Sequence, residues 1–536
     1  MADNTAVDVE VGVARVKSPL ARSENQFAHF LLRSAVVGVA AGLVAVAFRL
    51  TVTCGDAWRE WVLRWAPSFP GFAWLVLPVA GAVAAGLAGW LTDLAPETAG
   101  GGIPQVEAVL GSEGGLNWWR VLPVKFLGGT LTLSSGLSLG PKGPAVQLGA
   151  AAGQAVSQGM RRSKAEELHL IACGAGAGLA AAFNAPLAGV VFVVEELRRN
   201  FSPYALGGAL AASVTADIVS LAIVGPLPAF RVAQLQPFVL GSLPFFLYLG
   251  AATGILGAAF NWGITTTLSA ADRLAGVPRW VRAATVGFSV CLVGYFLPQL
   301  LGGGHALVMR VLGNPAGYTL GWLLLLFWLK FGLILLSYGA GVPGGILLPL
   351  LTLGALSGAI VARGGAFLFP VLEDLAPSFV IIGMAAFFVA VVRSPLTGIV
   401  LLTEMTGRYQ YMLPLLLTCI VAYMVAEACG SLPLYEALLQ RYLHKEEQGG
   451  RTVSVWGGIA VVELVVESGS EASGRLVKDL QLPSDCLLVA VVRGTREEIP
   501  RGGTPLHEGD VLRVIAPEKR LAAVKRDLLR LTSCPH

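Results

Sequence analysis

Residues 341–349 read Gly-Val-Pro-Gly-Gly-Ile-Leu-Leu-Pro and lead directly into a long apolar stretch. Two other segments have the same form and position: Gly100-Gly101-Gly102-Ile103-Pro104 and Gly140-Pro141-Lys142-Gly143-Pro144. Proline is tolerated in the first turn of a helix, and glycine lets the backbone approach a ligand closely. Each segment therefore predicts the start of a helix, where the first N–H groups have no intrahelical partner.

Such helix starts suit a negatively charged ligand, because their unpaired N–H groups carry partial positive charge. Three of them inside a membrane could hold one dehydrated anion without a full positive charge. Dipoles of this kind bind an anion weakly enough to release it again, as transport requires. One such segment alone would fit a turn or a packing contact equally well, so the argument depends on all three.

The composition places the chain in a membrane. Of 536 residues, 55% are hydrophobic and 13% are charged, whereas soluble domains average about 25% charged residues. The mean hydropathy is +0.69. These values exclude a disordered chain, a nucleic-acid-binding protein or a soluble enzyme as the main body, and the net charge of +4 implies no nucleic-acid partner. They predict a polytopic membrane protein.

Charge divides the chain into parts, since roughly a quarter of the residues are charged beyond Gln448 and about a tenth before it. We predict an N-terminal cytoplasmic segment (1–29), a transmembrane domain (30–445), a linker (446–451) and a soluble domain (452–536). Long apolar runs in the transmembrane domain would span a bilayer, whereas 143–157, 170–184 and 186–195 are short and interrupted, which indicates discontinuous helices. Basic clusters place both termini in the cytoplasm.

The transmembrane domain contains an internal repeat, with halves at about 30–225 and 235–445. Two broken halves with matching landmarks are typical of a transporter or channel whose site lies at the repeat interface. The matching segments are 185–191 with 394–400, Gly100–Gly102 with Gly302–Gly304, and Gly136, Pro144 and Gly149 with Gly341, Pro349 and Gly354.

These motifs resemble the CLC family of chloride channels and chloride/proton antiporters. The family's GSGIP segment corresponds to GGGIP at 100–104, GxEGP to GPKGP at 140–144, and GxFxP to GILLP at 345–349. AAFNAPLAGVVFVVEE at 181–196 and SPLTGIVLLTEMTGRYQ at 394–410 also match. The resemblance covers about residues 30–443. It implies an all-α inverted-repeat fold with broken helices, a homodimer, and one anion pathway in each subunit.

The resemblance also implies an anion site. The serine whose hydroxyl contacts the central anion in the family is replaced here by Gly101, and the family's phenylalanine is replaced by Leu347, whose backbone amide remains available. The pore tyrosine corresponds to Tyr435, a neutral hydrogen-bond donor. The implied set of anion-binding residues is Gly101, Gly102, Ile346, Leu347 and Tyr435.

Lys142 is the main departure from the family. With Gly143 it occupies the gating position, where the antiporters and many channels carry a glutamate that mimics the anion and leaves when protonated. A lysine cannot imitate an anion, and it is unfavourable at a helix N-terminus. We expect its ammonium to extend into the outer vestibule or to hold an incoming anion; a lysine that only reaches water is the alternative.

Glu196 corresponds to the family's cytoplasm-side proton glutamate, and a carboxylate inside a membrane helix suggests function. We expect structural hydrogen bonds for Glu195 and Glu404, and packing or local hydrogen bonds for Glu107. Because of Lys142, we predict passive, proton-uncoupled chloride transport by a channel or uniporter. The alternative is a chloride/proton antiporter that uses Glu196 and a substitute outer proton site.

The soluble domain alternates between predicted strands (459–466, 486–493 and 509–514) and a basic helix (517–531). Its segment 488–516 resembles the C-terminal subdomain of regulators of potassium transport, RCK-C or TrkA-C. Such subdomains dimerise and can bind small effectors, and both roles stay open here. No catalytic triad, metal cluster or GxGxxG fingerprint argues for an enzyme or a cofactor. We expect chloride or a similar small anion, membrane lipid and a second copy of the chain as partners, in a bacterial inner membrane.

Overall fold

The computed structural model describes residues 19–65, 73–111, 116–199, 201–226, 230, 240–274, 276–448, 459–466, 470–480, 482–483, 486–493 and 496–517, with Val524, Leu528, Leu531 and Thr532. The chain forms two compact units that meet in sequence between Tyr442 and Leu443, and Gly111–Gly115 is assigned with the second unit. Each unit is described by itself.

The first unit is helical. Its helices run in the order α1 (Pro19–Trp65), α2 (Ala73–Leu94), α3 (Ile103–Leu110), α4 (Trp118–Ser134), α5 (Lys142–Gly159), α6 (Lys164–Phe183), α7 (Pro186–Phe192), α8 (Pro203–Val224), α9 (Leu243–Arg273), α10 (Arg279–Phe296), α11 (His305–Gly313), α12 (Leu320–Gly339), α13 (Leu347–Ala366), α14 (Val371–Asp374), α15 (Ala376–Val392), α16 (Pro395–Thr406), α17 (Met412–Ala428) and α18 (Leu434–Gln448).

Six of the described helices are long and apolar enough to cross a membrane; they lie in α1, α2, α8, α9, α12 and α13. The interrupted runs 143–157, 170–184 and 186–195 correspond to α5, α6 and the short α7, which continues as a π-helical turn at Val193–Leu197. Two helices extend beyond the predicted limits of the transmembrane domain. Helix α1 begins at Pro19, inside the predicted N-terminal segment, and α18 runs to Gln448, inside the predicted linker.

The repeat is visible in the order of the elements. Helices α1 to α8 are followed by the same sequence of long, short and broken helices in α9 to α13 and α15 to α17, with α14 as an addition in the second half. The backbone breaks at equivalent places, where glycine adopts a positive φ that other residues rarely take. The matched pairs are Gly100 (68°) with Gly302 (66°), Gly102 with Gly304 (both 91°), and Gly136 (89°) with Gly341 (72°).

Glycine also sets the closest helix packing in each half. A Cβ on Gly149 of α5 would lie 2.2 Å from the carbonyl oxygen of Gly174 in α6. In the second half, a Cβ on Gly354 of α13 would lie 2.4 Å from the carbonyl oxygen of Gly383 in α15. Helices in a membrane associate through such close contacts because no hydrophobic effect drives them together there.

Two glutamates join the halves through the starts of broken helices. The Glu195 carboxylate, which follows α7, accepts hydrogen bonds from the amides of Leu396 (3.0 Å) and Thr397 (2.7 Å) at the start of α16. Glu404, near the end of α16, accepts from the amides of Leu187 (3.1 Å) and Ala188 (2.8 Å) at the start of α7. The expected structural role of both carboxylates is confirmed, and we call this exchange the reciprocal cap.

The second unit contains a four-stranded antiparallel sheet in the order β1-β4-β2-β3, with β1 at Ile459–Val465, β2 at Leu487–Arg493, β3 at Arg496–Glu498 and β4 at Val511–Pro517. Three strands match the predicted ones to within three residues at either end, and β3 is additional. Its core includes Leu488, Leu512 and Val514. The predicted helix at 517–531 lies mostly outside the described residues; Val524 and Leu528 within it are buried.

Candidate anion site

Main-chain hydrogen bonds bring the three glycine-rich segments together. The Gly100 amide donates to the Val342 carbonyl (3.1 Å), and the Gly344 amide donates to the Gly100 carbonyl (2.9 Å). Gly140 and Gly345 exchange a pair of bonds of 2.6 and 2.9 Å. The starts of α3, α5 and α13 therefore meet at one place, which we call the glycine cluster.

Side chains are excluded from the centre of the glycine cluster. A Cβ on Gly143 would lie 2.9 Å from the Cα of Gly345 and 3.1 Å from the Cα of Gly101, so two other segments block any larger residue. Gly102 has a φ of +91°, and a Cβ there would collide with Gln147. The backbone itself is thus the surface presented at this point.

The amides at the start of α13 are available to a ligand. Ile346 precedes the first helical residue, Leu347, and both are buried at 2% and 1% exposure. Their N–H groups precede the first residue with an intrahelical partner, Leu350, whose amide bonds to the Ile346 carbonyl. An anion placed there would exchange water for fixed backbone dipoles.

Tyr435 lies in the first turn of α18 and is 2% exposed. Its phenol interacts electrostatically with Tyr338 and with the carboxyl groups of Glu196 and Glu107. The implied pore tyrosine is therefore brought together with the implied proton glutamate. A buried phenol can donate a hydrogen bond to an anion without adding charge.

Glu196 lies in the π-helical turn that follows α7 and is buried at 5% exposure. Its carboxyl group accepts a hydrogen bond from the hydroxyl of Ser394, the residue before α16. Glu107, in α3, interacts electrostatically with Glu196. Glu107 is buried, and within the described part of the chain its Oε2 has no hydrogen-bond partner.

Lys142 begins α5, and its Nζ lies 4.2 Å from the centroid of the Phe183 ring in α6. The ring face is the electron-rich side that attracts a cation. The Arg49 guanidinium is near enough to repel the ammonium. Among the described residues no carboxylate forms an ion pair with Lys142, so its ammonium rests on a ring rather than extending freely.

Two buried lysines that sequence reasoning missed bind equivalent backbone breaks in the two halves, and the first of them supports the glycine cluster. Lys125 Nζ donates to the carbonyls of Thr98 (2.9 Å) and Gly100 (2.7 Å). Lys330 Nζ donates to Leu300 (2.9 Å) and Gly302 (2.6 Å) in the other half. Both side chains are fully buried. Lys125 and Lys330 are 205 residues apart, as are Gly136 and Gly341. The internal repeat could therefore have identified these lysines as an equivalent pair from the sequence alone.

A repeated membrane fold whose broken helices point their starts at one buried cluster defines a class of anion-transport proteins. The family model described as voltage gated chloride channel matches residues 80–427, and a TrkA-C domain model matches residues 461–529. The chain belongs to the CLC family, whose members transport anions, and it is an integral multi-pass membrane protein with a C-terminal TrkA-C domain.

Relatives and solved structures agree with this assignment. The chain is 37% identical over 456 residues to the H(+)/Cl(-) exchange transporter ClcA of Salmonella arizonae, covering 83% of this chain and 94% of that protein. It is 39% identical over 428 residues to ClcA of Vibrio parahaemolyticus, covering 78% and 90%. A crystal structure of a slow cyanobacterial Cl-/H+ antiporter superposes with a TM-score of 0.74 at 36% identity, covering 78% of this chain and 99% of that one.

Proposed function

We propose that the chain transports chloride through the glycine cluster and that it exchanges chloride for protons. The convergence of the starts of α3, α5 and α13 carries the chloride part of this proposal, and the buried Tyr435 phenol, which interacts electrostatically with Tyr338, supports it. Backbone amides and a phenol hold a halide by dipoles alone, which keeps binding weak enough for turnover.

The names of the relatives support the exchange part, because the ClcA proteins are named H(+)/Cl(-) exchange transporters. They favour the antiporter over the uncoupled uniporter that Lys142 led us to predict. Glu196 is the inner proton group in this proposal, since it is buried and interacts with the Tyr435 phenol. The outer group would be the amine of Lys142, which occupies the gating position.

Uncoupled chloride transport is the second candidate, and one observation favours it. Lys142 supplies a cation where gating by an anion mimic requires a carboxylate, and its Nζ lies over the Phe183 ring. A group that is neutral or positive cannot compete with chloride for the same site. Proton movement therefore decides between the two candidates.

Chloride efflux and external pH are measured together in proteoliposomes that contain the full-length protein. In an exchanger, the chloride gradient drives protons uphill, and Glu196→Gln removes proton movement while chloride flux continues. Chloride flux without proton movement in the parent protein would establish the uncoupled candidate, and Lys142→Glu is then expected to create coupling. Absence of chloride flux would contradict both candidates.

The family assignment also supports proposals about the oligomeric state, the membrane and the orientation of the termini. We propose a homodimer in the bacterial inner membrane, with lipid around it, both termini in the cytoplasm, and a TrkA-C domain that dimerises or binds a small effector. Crosslinking in native membranes tests the dimer. Protease access from each side of sealed vesicles tests the orientation of the termini.

A further inference from the structure

The residue at position 101 raises a question about the chloride site. Gly101 has no hydroxyl, although it lies in the glycine cluster where its neighbours Gly143 and Gly345 approach. A site built from amides and a single phenol would have one hydroxyl donor. A side chain of α12 places another hydroxyl group beside the glycine cluster.

The Tyr338 side chain reaches the glycine cluster from the last turns of α12. Its hydroxyl oxygen lies 3.0 Å from the position that a Cβ on Gly100 would occupy. The Gly101 amide is near enough to favour the charged form of the Tyr338 phenol, which also interacts electrostatically with Tyr435. The Tyr338 hydroxyl therefore lies beside the backbone of Gly100 and Gly101, and it is electrostatically linked to the second phenol.

The proton of the Tyr338 hydroxyl is available to a ligand. The residue is 8% exposed, and the backbone group near its hydroxyl, the Gly101 N–H, is a donor that cannot accept the phenol proton. The nearby Gly100 carbonyl already accepts from Lys125 (2.7 Å) and from the Gly344 amide (2.9 Å). Among the described residues no acceptor bonds to the Tyr338 O–H. A largely buried hydroxyl with no protein acceptor, next to the glycine cluster, can donate its hydrogen bond to an anion held there.

We propose that Tyr338 is a second chloride-binding phenol, which supplies from α12 the hydroxyl that Gly101 lacks. This inference rests on the proposed function. It makes the site a pair of phenols, Tyr338 and Tyr435, against backbone amides. The chain thereby keeps a hydroxyl donor at the centre while position 101 carries no side chain.

Chloride binding to the purified full-length protein, measured by isothermal titration, tests the proposal. Tyr338→Phe keeps the ring and removes the hydroxyl, so the dissociation constant for chloride should rise about tenfold, as for loss of one hydrogen bond to a charged group. Gly101→Ser in the Tyr338→Phe background should restore most of the affinity. A Cβ at position 101 has only one neighbour within 4 Å, at 3.7 Å, so serine fits there.

Tyr423→Phe is the matched control, because that ring packs on Arg393 at 5.3 Å rather than on the glycine cluster. The ultraviolet difference spectrum on adding chloride gives a second readout that does not require Tyr338→Phe to fold: in Tyr435→Phe a tyrosine perturbation should remain. Parent-like affinity in Tyr338→Phe, or loss of the whole perturbation in Tyr435→Phe, would overturn the inference. A parent protein that binds no chloride would instead refute the proposed function on which it rests.

Discussion

At the scale of single residues, the cation at the gate distinguishes this chain from the pattern of its family. Lys142 keeps its ammonium over the Phe183 ring, with Arg49 as the nearby charge. Two positive groups at the start of α5 oppose the helix dipole, yet both attract an anion. The expected consequence is a gate that draws chloride in rather than one that competes with it.

Lys142→Met should therefore weaken the apparent affinity for chloride in flux measurements. A unit charge about 10 Å from an anion contributes about 1.7 kcal/mol at an effective dielectric constant near 20, so the half-saturating chloride concentration should rise about tenfold. Lys142→Arg retains the charge and serves as the control. Equal chloride dependence of the methionine variant and the parent would show that the ammonium does not act on the anion.

At the scale of elements, the reciprocal cap determines where α7 and α16 begin. The start of each helix receives a carboxylate from the other half, and without it the first amides of the helix would have no side-chain acceptor. A carboxylate at a helix N-terminus also interacts favourably with the helix dipole. Glu195 and Glu404 therefore have a structural role, whereas Glu196, the residue after Glu195, is the proposed proton group.

Glu404→Ala should destabilise the protein by about 1–3 kcal/mol, because it leaves the Leu187 and Ala188 amides without an acceptor. Glu404→Gln, which keeps one acceptor oxygen, should have a smaller effect. The midpoint of thermal unfolding in detergent should therefore be lowest for Glu404→Ala, intermediate for Glu404→Gln and highest for the parent protein. Glu373→Ala, which removes a half-exposed ion pair with Arg363, should change the midpoint little, and an equal shift there would count against the capping role.

The elements also show what a sequence can and cannot predict. The glycine segments, the repeat and three strands were predicted because glycine, proline and alternating apolar residues leave local patterns. Strand β3 was missed, since it is three charged residues whose pairing with β2 is set by the sheet. Tyr338 was missed because an aromatic residue in the apolar run of α12 looks like core, and only the fold brings it to Gly101.

At the scale of the whole molecule, the TrkA-C domain has its own buried charge. The Asp510 carboxylate, 1% exposed, accepts two bonds from the Arg493 guanidinium (2.8 and 2.7 Å) and one from the His507 amide (2.9 Å). The hydrogen bonds from Arg493 hold the pKa of Asp510 below its usual range, and the His507 amide adds to this effect. This ion pair links β2 to the turn before β4.

A depressed folded-state pKa stabilises the domain above the unfolded pKa, near 3.9, and the contribution is lost as pH falls through the lower folded value. Hydrogen-exchange protection of β2 and β4 in the full-length protein should therefore decline below about pH 4. Asp510→Asn should lower protection at pH 7 and flatten its acid dependence. Asp479→Asn, at an exposed turn, is the control; an unchanged acid profile in Asp510→Asn would disprove the assignment.

The reciprocal cap has a mechanical consequence for the transport cycle. A rocking motion of one half against the other would have to break the four amide-to-carboxylate bonds that cross between the halves, at about 1.5–3 kcal/mol for each hydrogen bond to a charged group. These bonds therefore oppose relative motion of the two halves, and we expect the conformational changes of transport to occur mainly in side chains along the pathway. The anion would then pass between two repeat halves whose backbones keep the same relative position.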